Sequence, residues 1–214
     1  STLYIPKEAS LGMYKVDSQL LIGKPETPRP AKIDFNLSIE GIPLTITKNV
    51  VRRYAERDIG EIYEPFEILP SVTTKLKDKV LIFSNDVAKK VVVEVSAKAN
   101  KVGGNVSLKA PINWKVSPSE IAFNINQKND KQTVSFLVTP PKNQSEGKLK
   151  VIATSNGKTY QKELIEINYN HIPKQVVLVN SEAKVVRLDI KIIGTKIGYI
   201  KGAGDAIPES LRQI

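Results

Sequence analysis

The chain has 214 residues, a formal net charge of +10, 41% hydrophobic residues and no cysteine. That hydrophobic share supports a packed core and argues against disorder, and the absence of thiols excludes disulfides and thiolate sites. No apolar run approaches the roughly 18 residues that a membrane-crossing helix needs; the longest candidate, Val91 to Val93 with its flanks, is one strand.

Ser1 to Pro6 lacks the basic start and apolar centre of a signal peptide. Lys24 to Pro30 holds three prolines and reads as a linker or edge crossing. Ile33, Phe35, Leu37 and Ile39 then alternate with Asp34, Asn36, Ser38 and Glu40, the period-2 pattern of a half-buried strand. Gly41 starts a turn, Leu44 to Thr47 begins the returning strand, and Val50 to Tyr54 is a third strand candidate. Pro65 and Pro70 bracket Phe66 to Leu69, taken as the crossing into a second domain.

From Val72 to Tyr169 strand signals recur about every ten residues. Val80 to Phe83 is a short apolar run. Val91, Val93, Val95 and Ala97 alternate with more polar neighbours, Gly103-Gly104 is read as a turn, and Val106, Leu108 and Ala110 follow. Val134, Phe136 and Val138 precede Pro140-Pro141, and Leu149, Val151 and Ala153 alternate with lysines. Asn156-Gly157 is a two-residue hairpin turn with positive φ at both positions, and Tyr160 to Tyr169 is the return strand. Short strands at this spacing predict an immunoglobulin-like or fibronectin-like sandwich. In the tail, Val186, Leu188, Ile190 and Ile192 alternate, Gly194-Thr195 turns, and Lys196 to Ile200 reads as a strand. Gly202-Ala203-Gly204-Asp205 and a helix starting near Pro208 complete a strand-loop-helix unit. A lone unit of that kind cannot cover its own apolar faces, so the chain is expected to be part of a longer protein and to end where an α/β domain begins.

The fold class expected is therefore mostly β: tandem immunoglobulin/fibronectin-like β-sandwiches, with the strand-loop-helix at the end. The domains are residues 1–70, a β-rich, sandwich-like segment; residues 71–170, the main sandwich; and residues 171–214, the linker, strand and first βα unit.

The charge is uneven. Residues 1–70 carry a net of −1, residues 71–170 a net of +8 and residues 171–214 a net of +3. Every basic residue of the middle segment is a lysine, and most fall at outward strand positions. Arginine, the residue of bidentate phosphate and base recognition, is missing there, so the charge reads as a solvated face and no specific nucleic-acid partner is implied.

Chemistry-bearing residues are sparse. One histidine, His171, and no cysteine cannot build a zinc site or a nucleophile–base pair, and His171 reads as linker packing. Glu61, Glu64 and Glu67 lie near Arg52, Arg53 and Arg57 and read as a surface ion-pair set. The Gly202–Asp205 loop lacks the third glycine of a dinucleotide fingerprint and reads as a turn plus helix cap, with Asp205 one candidate for the cap. Trp114, the only tryptophan, reads as a plug at one end of the sandwich rather than a sugar-stacking platform. No catalytic, metal or cofactor residue is assigned.

Pro111 to Pro118, Thr133 to Pro141 and Glu146-Gly147 resemble the sandwich domain appended to α-galactosidases and other bacterial glycan enzymes. Leu11 to Tyr14, Gln19 to Glu26, Gly60 to Ile68, Tyr169 to Pro173, Ala183 to Asp189 and Gly198 to Asp205 resemble, in that order, the non-catalytic C-terminal part of large bacterial PIG-L (LmbE-like) de-N-acetylases. The resemblance implies an upstream zinc-dependent domain acting on N-acetylated sugars and, from Lys196 onward, the opening of a domain similar to class I glutamine amidotransferases. It implies neighbouring domains of the same polypeptide as partners, with a glycan as a further one; the absence of cysteine fits an exported bacterial protein, which is the localisation expected. The Pro-His-Pro-Asp-Asp signature of the catalytic domain is absent from this sequence, so no zinc or catalytic residue is carried over. The function expected is a non-catalytic accessory region; the alternative is a carbohydrate- or cell-surface-binding module.

Overall fold

The computed structural model describes residues 7–10, 13–15, 19–21, 28–169, 171–172, 174–191, 193–194, 196–205 and 207–214. Two compact units divide the chain: Ser1–Leu69 with Ile165–Leu178, and Pro70–Leu164 with Val179–Ile214. The fold is mostly β.

In the first unit β1 (Lys7–Ser10) pairs antiparallel with β2 (Met13–Lys15), and a short 3-10 turn follows at Gln19–Leu21. β3 (Lys32–Ile39) and β4 (Ile42–Asn49) form a hairpin in full register from Lys32–Asn49 to Ile39–Ile42. Its turn is Glu40-Gly41 with φ of 51° and 82°, the doubly positive geometry whose twist matches the flanking strands. β5 (Val51–Glu56) and β6 (Gly60–Pro65) make a second hairpin. The described strands of this segment pair as two-stranded ribbons.

The second unit is a sandwich. Its strands are β7 (Val72–Leu76), β8 (Val80–Phe83), β9 (Lys89–Ala97), β10 (Val102–Lys109), β11 (Lys115–Ser117), β12 (Glu120–Ile125), β13 (Lys131–Thr139), β14 (Ser145–Ser155) and β15 (Lys158–Tyr160). β16 (Lys162–Ile167) and β17 (Gln175–Asn180) leave as a two-stranded ribbon, and β18 (Glu182–Arg187) returns to the sandwich. One sheet has the order β12-β10-β14-β18-β8, with β15 also on β14; the other has the order β11-β13-β9-β7. Inward positions of both sheets build one core, with Val93, Val95, Phe136 and Val138 of one sheet and Phe83, Val106, Leu149, Val151 and Val185 of the other fully buried. Alternation explains the lysines as well: Lys148 and Lys150 are exposed on either side of buried Leu149. The Asn156-Gly157 turn has φ of 48° and 70°, as the dipeptide requires.

Four local readings are corrected by the structure. Gly103 and Gly104 lie inside β10, and the turn falls earlier, at Lys101 with φ 53°. Gly104 is needed for close approach, because a Cβ there would sit 1.9 Å from the Thr154 carbonyl oxygen. Tyr160 to Tyr169 is not one strand: it breaks at Gln161 between β15 and β16. The tail strand is displaced by one residue, burying Ala183, Val185 and Arg187 while Val186 is half-buried and Leu188 exposed. A slip of one exchanges the two faces, and the adjacent Val185 and Val186 made both registers apolar. β18 lies between β14, antiparallel, and β8, parallel, so residues 179–214 belong to the sandwich unit. Residues 196–200 form no strand, and Ile197 and Ile200 are exposed. The helix is present as α1 (Ile207–Leu211). Residues 24–27 of the proline-rich linker, Leu11, Gly12, Ile192 and Thr195 lie outside the described residues.

Candidate functional site

One face of the β3–β4 ribbon is a chemically uniform, apolar surface. Cross-strand partners share a face, so Phe35 with Ile46, Leu37 with Leu44 and Ile39 with Ile42 stand side by side, with Ile33 at the open end. All seven are exposed, from 38% at Ile46 to 69% at Ile42. The opposite face is polar and self-satisfied: Thr45 Oγ1 donates to Asn36 Oδ1 at 2.8 Å and Thr47 Oγ1 to Asp34 Oδ1 at 2.7 Å. Period-2 patterning thus builds an amphipathic ribbon, as the alternation predicts. With roughly half of each side chain open, the seven present on the order of 600 Å² of apolar surface, the scale at which exposed patches mark interaction sites.

Of the carboxylates singled out in the sequence, Glu61 and Glu64 lie on β6 of the β5–β6 hairpin and Glu67 follows it. Arg53 Nη2 lies 3.0 Å from Glu61 Oε1, Arg52 Nη1 lies 3.6 Å from Glu64 Oε2, and Arg29 pairs with Glu67. Tyr63 donates to Glu61 at 2.7 Å and Tyr54 to Glu64 at 3.1 Å. Both phenols are pushed above their ordinary value. For Tyr63 the Glu61 hydrogen bond is the main cause; for Tyr54 it is desolvation, followed by the Glu64 bond. Each carboxylate is occupied by a cation or a phenol, which is the arrangement of an ion-pair set.

His171 is exposed in the turn between β16 and β17, with its ring 5.8 Å from that of Tyr169. Among the described residues no three His, Asp or Glu side chains converge as a metal would require. Trp114 is buried, makes an edge-on contact with Phe83 at 5.1 Å and donates Nε1–H to Ser145 Oγ at 3.1 Å. It plugs the sandwich and presents no ring to solvent. Exposed aromatics are spread over separate elements, with Phe35 on β3, Tyr63 on β6 and Tyr169 after β16.

Asp205 accepts from the Ile207 amide at 2.9 Å and from the Tyr199 hydroxyl, which together open α1. The Tyr199 bond first, then the backbone bonds, hold the Asp205 carboxyl below the ordinary aspartate value. The loop acts as the cap expected of it. A shallow cleft of about 490 Å³ lies beside α1, lined by Asp78, Leu81, Lys89, Lys90, Glu209, Arg212 and Gln213. The contacts of Lys89 and Gln213, which sequence patterning does not signal, are the unforeseen feature of this face.

No family model matches the chain, and no curated protein matches it. Among solved structures, a Caenorhabditis elegans protein described as WR4, an MSP family member, aligns over 54% of this chain and 98% of its own at 9% identity, with a TM-score of 0.33. No helix is long and apolar enough to cross a membrane among the described residues.

Proposed function

We propose that this chain is a non-catalytic accessory region of a PIG-L-type, zinc-dependent N-acetyl-sugar deacetylase. In this reading the β3–β4 ribbon docks on a neighbouring domain of the same polypeptide and holds it in place. The observation that carries it is the uncovered apolar face from Ile33 to Ile46. A two-stranded ribbon alone is marginal in water, and covering one face gives it the burial it lacks. The ordered series of resemblances named above supports the identity of the neighbour. Zinc would belong to that neighbour: the described residues offer no cluster that fits it, and no chemical step is assigned to this chain. Export from a bacterium belongs to the same proposal.

The test is binding of this chain to a separately produced PIG-L-type deacetylase domain, followed by calorimetry. Leu37→Lys and Leu44→Lys should each weaken binding at least tenfold, and Thr45→Lys on the polar face should leave it intact. Equal binding by all three variants would overturn the docking role. Zinc-dependent acetate release by the isolated chain from N-acetylglucosamine derivatives, lost in His171→Ala, would overturn the non-catalytic reading. Binding to glycan arrays in place of the domain would favour the carbohydrate-binding module.

A further inference from the structure

Among the described residues β8 is an edge strand of the larger sheet, with β18 on one side. The carbonyls of Lys79 and Phe83 accept from Lys184 and Leu188, so the intervening residues, Val80 and Ile82, turn their backbone groups to the open side. A row of open donors and acceptors on a strand reading Val-Leu-Ile-Phe would template pairing with another chain.

Those groups are occupied by side chains. Gln213 Oε1 accepts from the Ile82 amide at 2.8 Å, and Gln213 Nε2 donates to the Val80 carbonyl at 3.1 Å. Lys89 Nζ donates to the Ile82 carbonyl at 2.6 Å and also to the Gln213 backbone carbonyl. One primary amide thus takes an acceptor and a donor two residues apart, as a neighbouring strand would. Lys89 comes from β9 in the facing sheet and lies 5.3 Å from the centre of the Phe83 ring. Its ammonium is held below the ordinary lysine value by burial.

We infer that β8 is a guarded pairing edge. The Gln213 amide and the Lys89 ammonium hold the positions of an incoming strand, and when they withdraw β8 pairs edge to edge with β8 of a second copy of this chain. A second copy is the occupant that fits, because identical edges related by a two-fold axis pair antiparallel. That orientation sets the Lys77–Lys79 segment just before β8 of one copy, formal net charge +1, beside the Ser84–Ala88 segment just after β8 of the other, formal net charge −1. A parallel arrangement would set like flanks together.

The experiment compares the full chain with Gln213→Ala and with a Gln213→Ala/Val80→Lys double variant. Trp114 emission verifies that the sandwich is intact in each. In Gln213→Ala the Ile82 amide should exchange roughly tenfold faster in dilute solution, the loss of one hydrogen bond. At about 100 µM and above the variant should form a dimer by light scattering, while the full chain and the double variant stay monomeric, since a charge on an edge blocks pairing. Unchanged exchange at Ile82 would show that Gln213 guards nothing. Faster exchange without concentration-dependent dimerisation, or a dimer that survives Val80→Lys, would show that β8 is not the pairing edge.

Discussion

Trp114 shows how one side chain closes the sandwich. It fills the space beside Phe83 and spends its only donor on Ser145, so nothing polar on it is left unpaired. Trp114→Ala removes that volume and leaves a cavity, and should cost about 3–5 kcal/mol of stability in urea unfolding. At Asp205 the governing effect is electrostatic. Its carboxyl titrates lower in the fold than in the unfolded chain because Tyr199 and the Ile207 amide bond to the ionised form. The stabilisation is therefore complete above the unfolded value of about 3.9 and is lost as pH falls through the lower folded value. A carboxyl NMR titration should place the Asp205 midpoint below the ordinary one, and Tyr199→Phe should return it upward.

At the level of the element, turn chemistry and alternation act together. Asn156-Gly157 holds positive φ at both residues, and an alanine at Gly157 would meet no neighbour, so its penalty is conformational alone. Gly157→Ala should cost about 1 kcal/mol by thermal unfolding with the core unchanged. The same chemistry at Glu40-Gly41 closes the β3–β4 ribbon, but without a covering layer. Its apolar residues are already exposed, so Leu37→Lys should change stability by less than about 0.5 kcal/mol in chemical unfolding.

For the whole molecule, the two units differ in what holds them. The buried apolar side chains among the described residues all lie between Val72 and Val185, in the sandwich unit. Hydrogen exchange should therefore be slowest at Val91 to Ala97 and Val134 to Val138, and at least a hundredfold faster along β3 and β4. Comparable protection in both would mean that the ribbon is stabilised by something other than burial.

Taken alone, the sequence determined the mostly-β class, the inward faces of β9, β13 and β14, the Asn156-Gly157 turn, and the local roles of Trp114, of Asp205 and of Glu61 and Glu64 beside Arg53 and Arg52. These rest on period-2 alternation, turn residues and charge pairing across a hairpin, which are properties of neighbouring residues. Only tertiary structure decided that Gly104 sits within a strand, since the Thr154 carbonyl against it comes from β14, distant in the chain. Tertiary structure also chose the register of β18, because Val185 and Val186 are both apolar and only pairing with β14 and β8 selects the inward one. It returned residues 179–214 to the sandwich and set the Gln213 amide on the β8 edge, 131 residues from Ile82 in sequence. No local pattern marks such a contact, because a glutamine becomes a strand mimic only when folding brings an open edge to it.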